Sequence, residues 1–165
     1  MEAPGTVHLR ESGGLDWQPV SPRLRTVRLV VLAVLLTPPL LALAVLAVTL
    51  SSWFWLGVGA LALLLVWGAY VVVRQVPAIS WVELPDEIVI RRGRIYRQMV
   101  VVPYGRLQYV DLESGPLMRQ FGLASIEIHT ASPSSSGTVP GLPTEVAESL
   151  RERLSERGES QRAGL

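Results

Sequence analysis

The chain has 165 residues, 49% of them hydrophobic and 18% charged, with fifteen cationic side chains against fourteen acidic ones and no cysteine. Without cysteine there is no disulfide, thiolate metal site or cysteine nucleophile, and a chain so near neutrality lacks the basic field that nucleic acid requires. Every cation is arginine, and lysine and asparagine are absent, a bias found in GC-rich bacterial genomes.

Residues 1–22 are rich in Gly and Pro (Pro4, Gly5, Gly13, Gly14, Pro19, Pro22) and are expected to form a mostly disordered tail. Trp17 is its one large aromatic, able to touch headgroups or remain partly solvated. Residues 23–75 then carry a run, 29–73, without a charged side chain. A helix needs about 20 apolar residues to cross roughly 30 Å of hydrocarbon, so 29–50 and 53–73 each suffice, joined by Ser51 and Ser52 as a transmembrane hairpin. Pro38 and Pro39 remove two backbone donors and predict a kink in the first span. Arg23, Arg25 and Arg28 precede that span, Arg74 follows the second, and the turn is uncharged. By the positive-inside tendency, both termini are expected in the cytoplasm of a bacterial cell whose inner membrane the chain spans twice. Trp53, Trp55, Trp67 and Tyr70 fall near the two interfaces, as amphipathic rings prefer.

Beyond Arg74, residues 79–84, 87–92, 94–102 and 106–112 are short Val/Ile/Tyr-rich runs parted by turn residues, which predicts antiparallel strands with a tight hairpin at Gly93. Gly115 and Pro116 open one helical turn over 117–121, closed by Gly122. Residues 126–130 alternate, with Ile126 and Ile128 facing a core and Glu127 and His129 facing water. A Ser/Pro/Gly loop over 132–137 and a short strand over 138–142 follow. The chain closes with an amphipathic helix capped by Thr144, striped by Val146, Ala147, Leu150 and Leu154 and stopped by Gly158, leaving 159–165 as a tail.

The run IRRGRIYRQMVVVPYGRLQYVDLESGPLMRQFGLASIEIHTA, followed by VPGLP and a helix, resembles the bacterial pleckstrin-homology (PH) domain of YdbS-like membrane proteins. The positions that carry the likeness are Arg92 and Gly93; Val101, Val102, Pro103, Tyr104, Arg106, Gln108, Val110 and Asp111; and Gly115, Pro116, Leu117, Arg119, Gly122, Leu123 and Ala124. The resemblance implies an α+β molecule: the two-helix hairpin, then a small PH-like antiparallel barrel or sandwich over 76–158, capped by the C-terminal helix. Gly93, Pro103, Tyr104, Gly115, Pro116, Arg119 and Gly122 would be its structural motif. It also implies a membrane-tethered interaction module without a catalytic motif, partnered by a larger multi-domain sibling or by self-association.

Arg91, Arg92, Arg94, Arg97 and Arg106 fall in a stretch free of acidic residues between Glu87 and Asp111, and are the candidate lipid- or partner-binding residues. A cluster beside an anionic leaflet gains about 1 kcal/mol per arginine, so membrane lipids are the expected ligands and a solvated basic face is the plain alternative. Two readings stand: a module assembling with other membrane proteins, and a lipid-sensing or envelope-stress module. A bare sheet edge would favour the first, and a convergent pocket of Arg92, Arg94 and Arg97 the second. No enzyme, metal, cofactor or nucleic-acid role is expected, since His8 and His129 lack ligand spacing, Ser134–136 has no partnered base, and no phosphate-binding glycine loop is present.

Overall fold

The computed structural model describes residues 16–93, 97–132 and 136–163. Two long helices, α1 (Arg23–Thr49) and α2 (Phe54–Gln75), form an antiparallel pair joined through Leu50–Trp53. At 1.5 Å per residue, 27 and 22 residues reach roughly 40 and 33 Å, enough to cross a bilayer by length and composition. A small residue lets the pair come together at Gly68, where a Cβ would lie 3.1 Å from Leu32. The helix assignment of α1 continues unbroken through Pro38 and Pro39.

The rest is a mixed α+β domain of two antiparallel sheets. One has the order β1-β2-β3-β4, with β1 Gln18–Pro19, β2 Ser80–Glu83, β3 Glu87–Arg92 and β4 Gln98–Pro103. The other has the order β5-β6-β7, with β5 Leu107–Glu113, β6 Leu123–Thr130 and β7 Gly137–Pro143. Tyr104–Arg106 turns the corner between the sheets, and a short helix α3 (Pro116–Gln120) links β5 to β6. Inward residues of both sheets, led by Trp81, Ile88, Ile90, Val102, Ile126 and Ile128, make one core with Tyr104 of the corner. The C-terminal helix α4 (Thr144–Ala163) closes it with Ala147, Leu150 and Leu154, all fully buried.

Three expectations need correction. Residues 18–20 are not a tail: Gln18 pairs with Trp81 and Pro19 with Ser80, and Val20 is buried. The connection between β3 and β4 is no tight hairpin, because Arg92 pairs with Gln98 and residues 93–97 lie between them. β4 therefore begins at Gln98; Arg94, Ile95 and Tyr96, assigned to it from sequence, lie outside the described residues. The last helix passes through Gly158 and continues to Ala163. Gly158 faces Leu107 within the helix, where a Cβ would meet it in ordinary contact at 3.5 Å.

The anchor and the sheets share a core. Val20, Leu24 and Val27 from the start of α1, and Val76 and Ile79 after α2, are buried in the same cluster as the strands. Gly141, with φ +67°, makes the closest junction: a Cβ there would stand 2.7 Å from Leu24, and its carbonyl accepts from the Ser21 N–H at 3.0 Å. Only glycine combines that left-handed backbone with that clearance. The boundary expected at residue 76 thus cuts through the hydrophobic core.

Candidate functional site: the basic end of the sheet domain

Both long helices join the domain at one end, where β1 finishes, β2 begins and β3 finishes. Strand alternation decides what the arginines do there, because successive side chains on a strand point to opposite faces. Ile88 and Ile90 face the core, so Arg92 turns inward with them and Arg91 turns outward. Arg91 lies over the Trp17 ring, 4.8 Å from its centroid, a cation–π contact that ties the segment before α1 to β3. Arg92 is partly buried and its guanidinium donates to the Thr138 carbonyl on β7, bridging the two sheets. Burial, and secondly the charge of Arg28, lower the Arg92 pKa from its ordinary value. Its Nε is buried without a hydrogen-bond partner among the described residues, as is that of Arg25.

Arg91 and Arg97 come together around a cavity of about 270 Å³, completed by Gly93 and by Pro77 and Ala78 of the turn that follows α2. Both arginines are exposed and can meet a phosphate or carboxylate. Gly93, with φ +83°, turns the chain out of β3 beside them. Arg94 lies outside the described residues. Arg106 does not join the group: it follows β4 at the opposite end, about five residues or roughly 17 Å along the strand from Gln98. The convergent pair is therefore Arg91 with Arg97, and Arg92 has a bridging role between sheets.

The other motif residues build the frame. Tyr104 is fully buried, donates from Oη to the Leu84 carbonyl at 3.0 Å and accepts from Arg157 Nη1 at 3.0 Å. Burial raises its pKa, with Arg157 opposing. Pro103 ends β4, Gly115 and Pro116 start α3, Arg119 donates to the Ser114 carbonyl at 3.4 Å, and Gly122 leads into β6. On the outer face of β5 and β6, His129 stacks on Tyr109 with centroids 4.4 Å apart, and lies 3.6 Å from Glu127 and 3.8 Å from Asp111. Among the described residues no group of His, Asp and Glu could hold a metal ion. His8, Ser134 and Ser135 lie outside the described residues.

Sequence reasoning missed Trp17 as a partner of Arg91 and missed the inward role of Leu24 and Val27. A signal was present: Val20, Leu24, Val27 and Val31 follow one another at helical spacing across the supposed boundary.

The model of the family described as "Bacterial PH domain" matches residues 22–158, a span that takes in both long helices as well as the sheets. The chain is 39% identical over 69 residues to a Bacillus subtilis (strain 168) protein named UPF0699 transmembrane protein YdbS. The match covers 42% of this chain and 42% of that relative, so the chain spans less than half the length of the curated relative it matches. No solved structure matches.

Proposed function

The chain belongs to the bacterial PH domain family, and from that premise we propose that it is a non-enzymatic, two-span inner-membrane protein. Its termini lie in the cytoplasm, and its PH-like module rests its basic end on the anionic inner leaflet. The observation that carries this reading is the cavity shared by Arg91, Arg97, Pro77 and Ala78, since its arginines stand beside the residues that leave the second span. With α1 and α2 supplying insertion, headgroup contact orients the domain and does not recruit it. The YdbS relative is a transmembrane protein by name, which supports the anchor and says nothing of ligand or orientation.

Assembly with another membrane protein, a larger family member or a second copy, is a compatible second reading. It is favoured by β4, whose outer edge has no strand neighbour among the described residues and exposes Met99.

Orientation is testable in the full chain because it has no cysteine of its own. A fluorophore on Gln98→Cys, in nanodiscs, should be quenched by lipids spin-labelled at the headgroup when phosphatidylglycerol is present. Quenching should fall with Arg91→Gln/Arg97→Gln and as salt rises from about 0.05 to 0.5 M, where the Debye length contracts several-fold. Quenching indifferent to salt, lipid charge and both substitutions would remove the leaflet reading and leave assembly.

A further inference from the structure

A second cavity lies on the other side of the junction, between α1 and α3. It is an open groove of about 500 Å³, within the range of about 300–1,000 Å³ typical of small-molecule sites, with Val27, Val31, Leu117, Met118 and Pro140 on its walls. Arg28 is the only charged residue on those walls among the described residues. The groove shares no lining residue with the Arg91–Arg97 cavity.

Three features identify its occupant. Val31 belongs to the uncharged run 29–73 while Arg28 precedes it, so the groove runs from the level of a charged headgroup to the level where hydrocarbon begins. Arg28 has no acidic partner among the described residues, and no acidic residue lines the groove. Arg28 also lies near enough to Arg92 for the two like charges to repel, and the Arg92 Nε has no hydrogen-bond partner among the described residues, so an anion at the mouth would offset that repulsion.

We propose that this groove holds a single anionic glycerophospholipid, its phosphate on Arg28 and one acyl chain along Val31, Leu117 and Met118. A lipid seated there would bridge the first span to the turn between β5 and β6, coupling the domain's position on the membrane to leaflet charge. The inference rests on α1 entering the bilayer, as proposed above, but not on the Arg91–Arg97 contact.

Native mass spectrometry of the full-length protein in mild detergent, with phosphatidylglycerol or phosphatidylcholine added, tests it. One phosphatidylglycerol should be retained per chain and phosphatidylcholine should not. Losing one charge-assisted hydrogen bond corresponds to about tenfold or more in affinity, so Arg28→Gln should lower retention by that factor, and Arg28→Lys should keep part of it. Met118→Trp, which fills the groove without touching charge, should also lower it. Arg91→Gln/Arg97→Gln should leave it unchanged; loss of retention in that variant would assign the lipid to the other cavity and overturn the proposal. Equal retention by Arg28→Gln, or of both lipids, would do the same. Should Arg28→Gln misfold, wild-type protein and phosphatidylglycerol with a diazirine in its acyl chain decide the matter. Crosslinks at Val31, Leu117 or Met118 support the groove, and crosslinks confined to other faces of α1 and α2 refute it.

Discussion

Glu83 and Tyr104 fasten the far end of the domain. Glu83 accepts from Arg153 Nη2 at 2.7 Å and Arg153 Nε at 3.3 Å, with Arg157 Nη1 3.7 Å away, while Tyr104 joins the same group through Arg157. The carboxylate raises the Arg153 pKa, chiefly by hydrogen bonding. Glu83→Gln keeps the shape but removes the charge between two arginines, and should cost about 1–3 kcal/mol in denaturant unfolding. Tyr104→Phe removes the hydroxyl's two hydrogen bonds while Arg157 Nη1 still donates to the Leu84 carbonyl at 3.2 Å, and should cost about 0.5–1.5 kcal/mol. The folded phenol holds its proton above the ordinary value of 10.0, so its contribution is complete below pH 10 and is lost as pH rises through the folded pKa. Stability measured across the alkaline range should fall above that pH in wild type and fall less in Tyr104→Phe.

At this scale the arginine-rich stretch is also where sequence reading reached its limit. The composition placed five arginines in one acidic-free run, yet on β3 the neighbours Arg91 and Arg92 face opposite ways and the length of β4 carries Arg106 to the other end. One-dimensional proximity on a strand does not mean a shared face. Tyr104 was legible as a motif position, but its partners Leu84 and Arg157 are 20 and 53 residues away, beyond any local pattern.

Elements with strong local signals were read well. β3 matches its expected run end to end because Asp86 and Gly93 bracket a block of Ile and Val, and α3 begins at Pro116 as its turn chemistry requires. The misreadings share a cause, tertiary contact overriding composition. Gly and Pro suggested a tail before α1, but Val20 and Leu24 find the sheet core and Gln18–Pro19 gains a strand neighbour. Gly158 suggested a helix end, but α4 continues past it to Ala163 with that position packed against Leu107. The segments that flank the apolar run are consequently part of the domain's stability. Leu24→Ala, in full-length protein, should destabilise the domain by about 2–5 kcal/mol in thermal or denaturant unfolding. Gly141→Ala should also destabilise, through both its φ and its contact with Leu24. A fragment of residues 76–158 lacks Val20, Leu24 and Val27 and should melt well below the domain within the whole chain; equal melting temperatures would mean that these contacts contribute nothing.

For the whole molecule, the core that Val20, Leu24, Val27, Val76 and Ile79 share with the strands ties the placement of the sheets to that of the two long helices, and under the proposed function the basic end is the one that meets the lipid. On that proposal, insertion by two helices exceeds anything a surface patch supplies, so substitutions at Arg28, Arg91 or Arg97 should alter orientation and lipid retention while leaving membrane fractionation unchanged. The leaflet contact, the lipid groove and assembly by β4 all presuppose that the sheets face the cytoplasm, where anionic headgroups and the positive-inside tendency coincide. Two single cysteines decide it in living cells: Ser52→Cys in the exposed turn between α1 and α2, and Ser155→Cys on the exposed face of α4. A membrane-impermeant maleimide applied to spheroplasts should label the first and should reach the second only after lysis. Labelling of Ser155→Cys in intact spheroplasts, with Ser52→Cys protected, would contradict the account at its base.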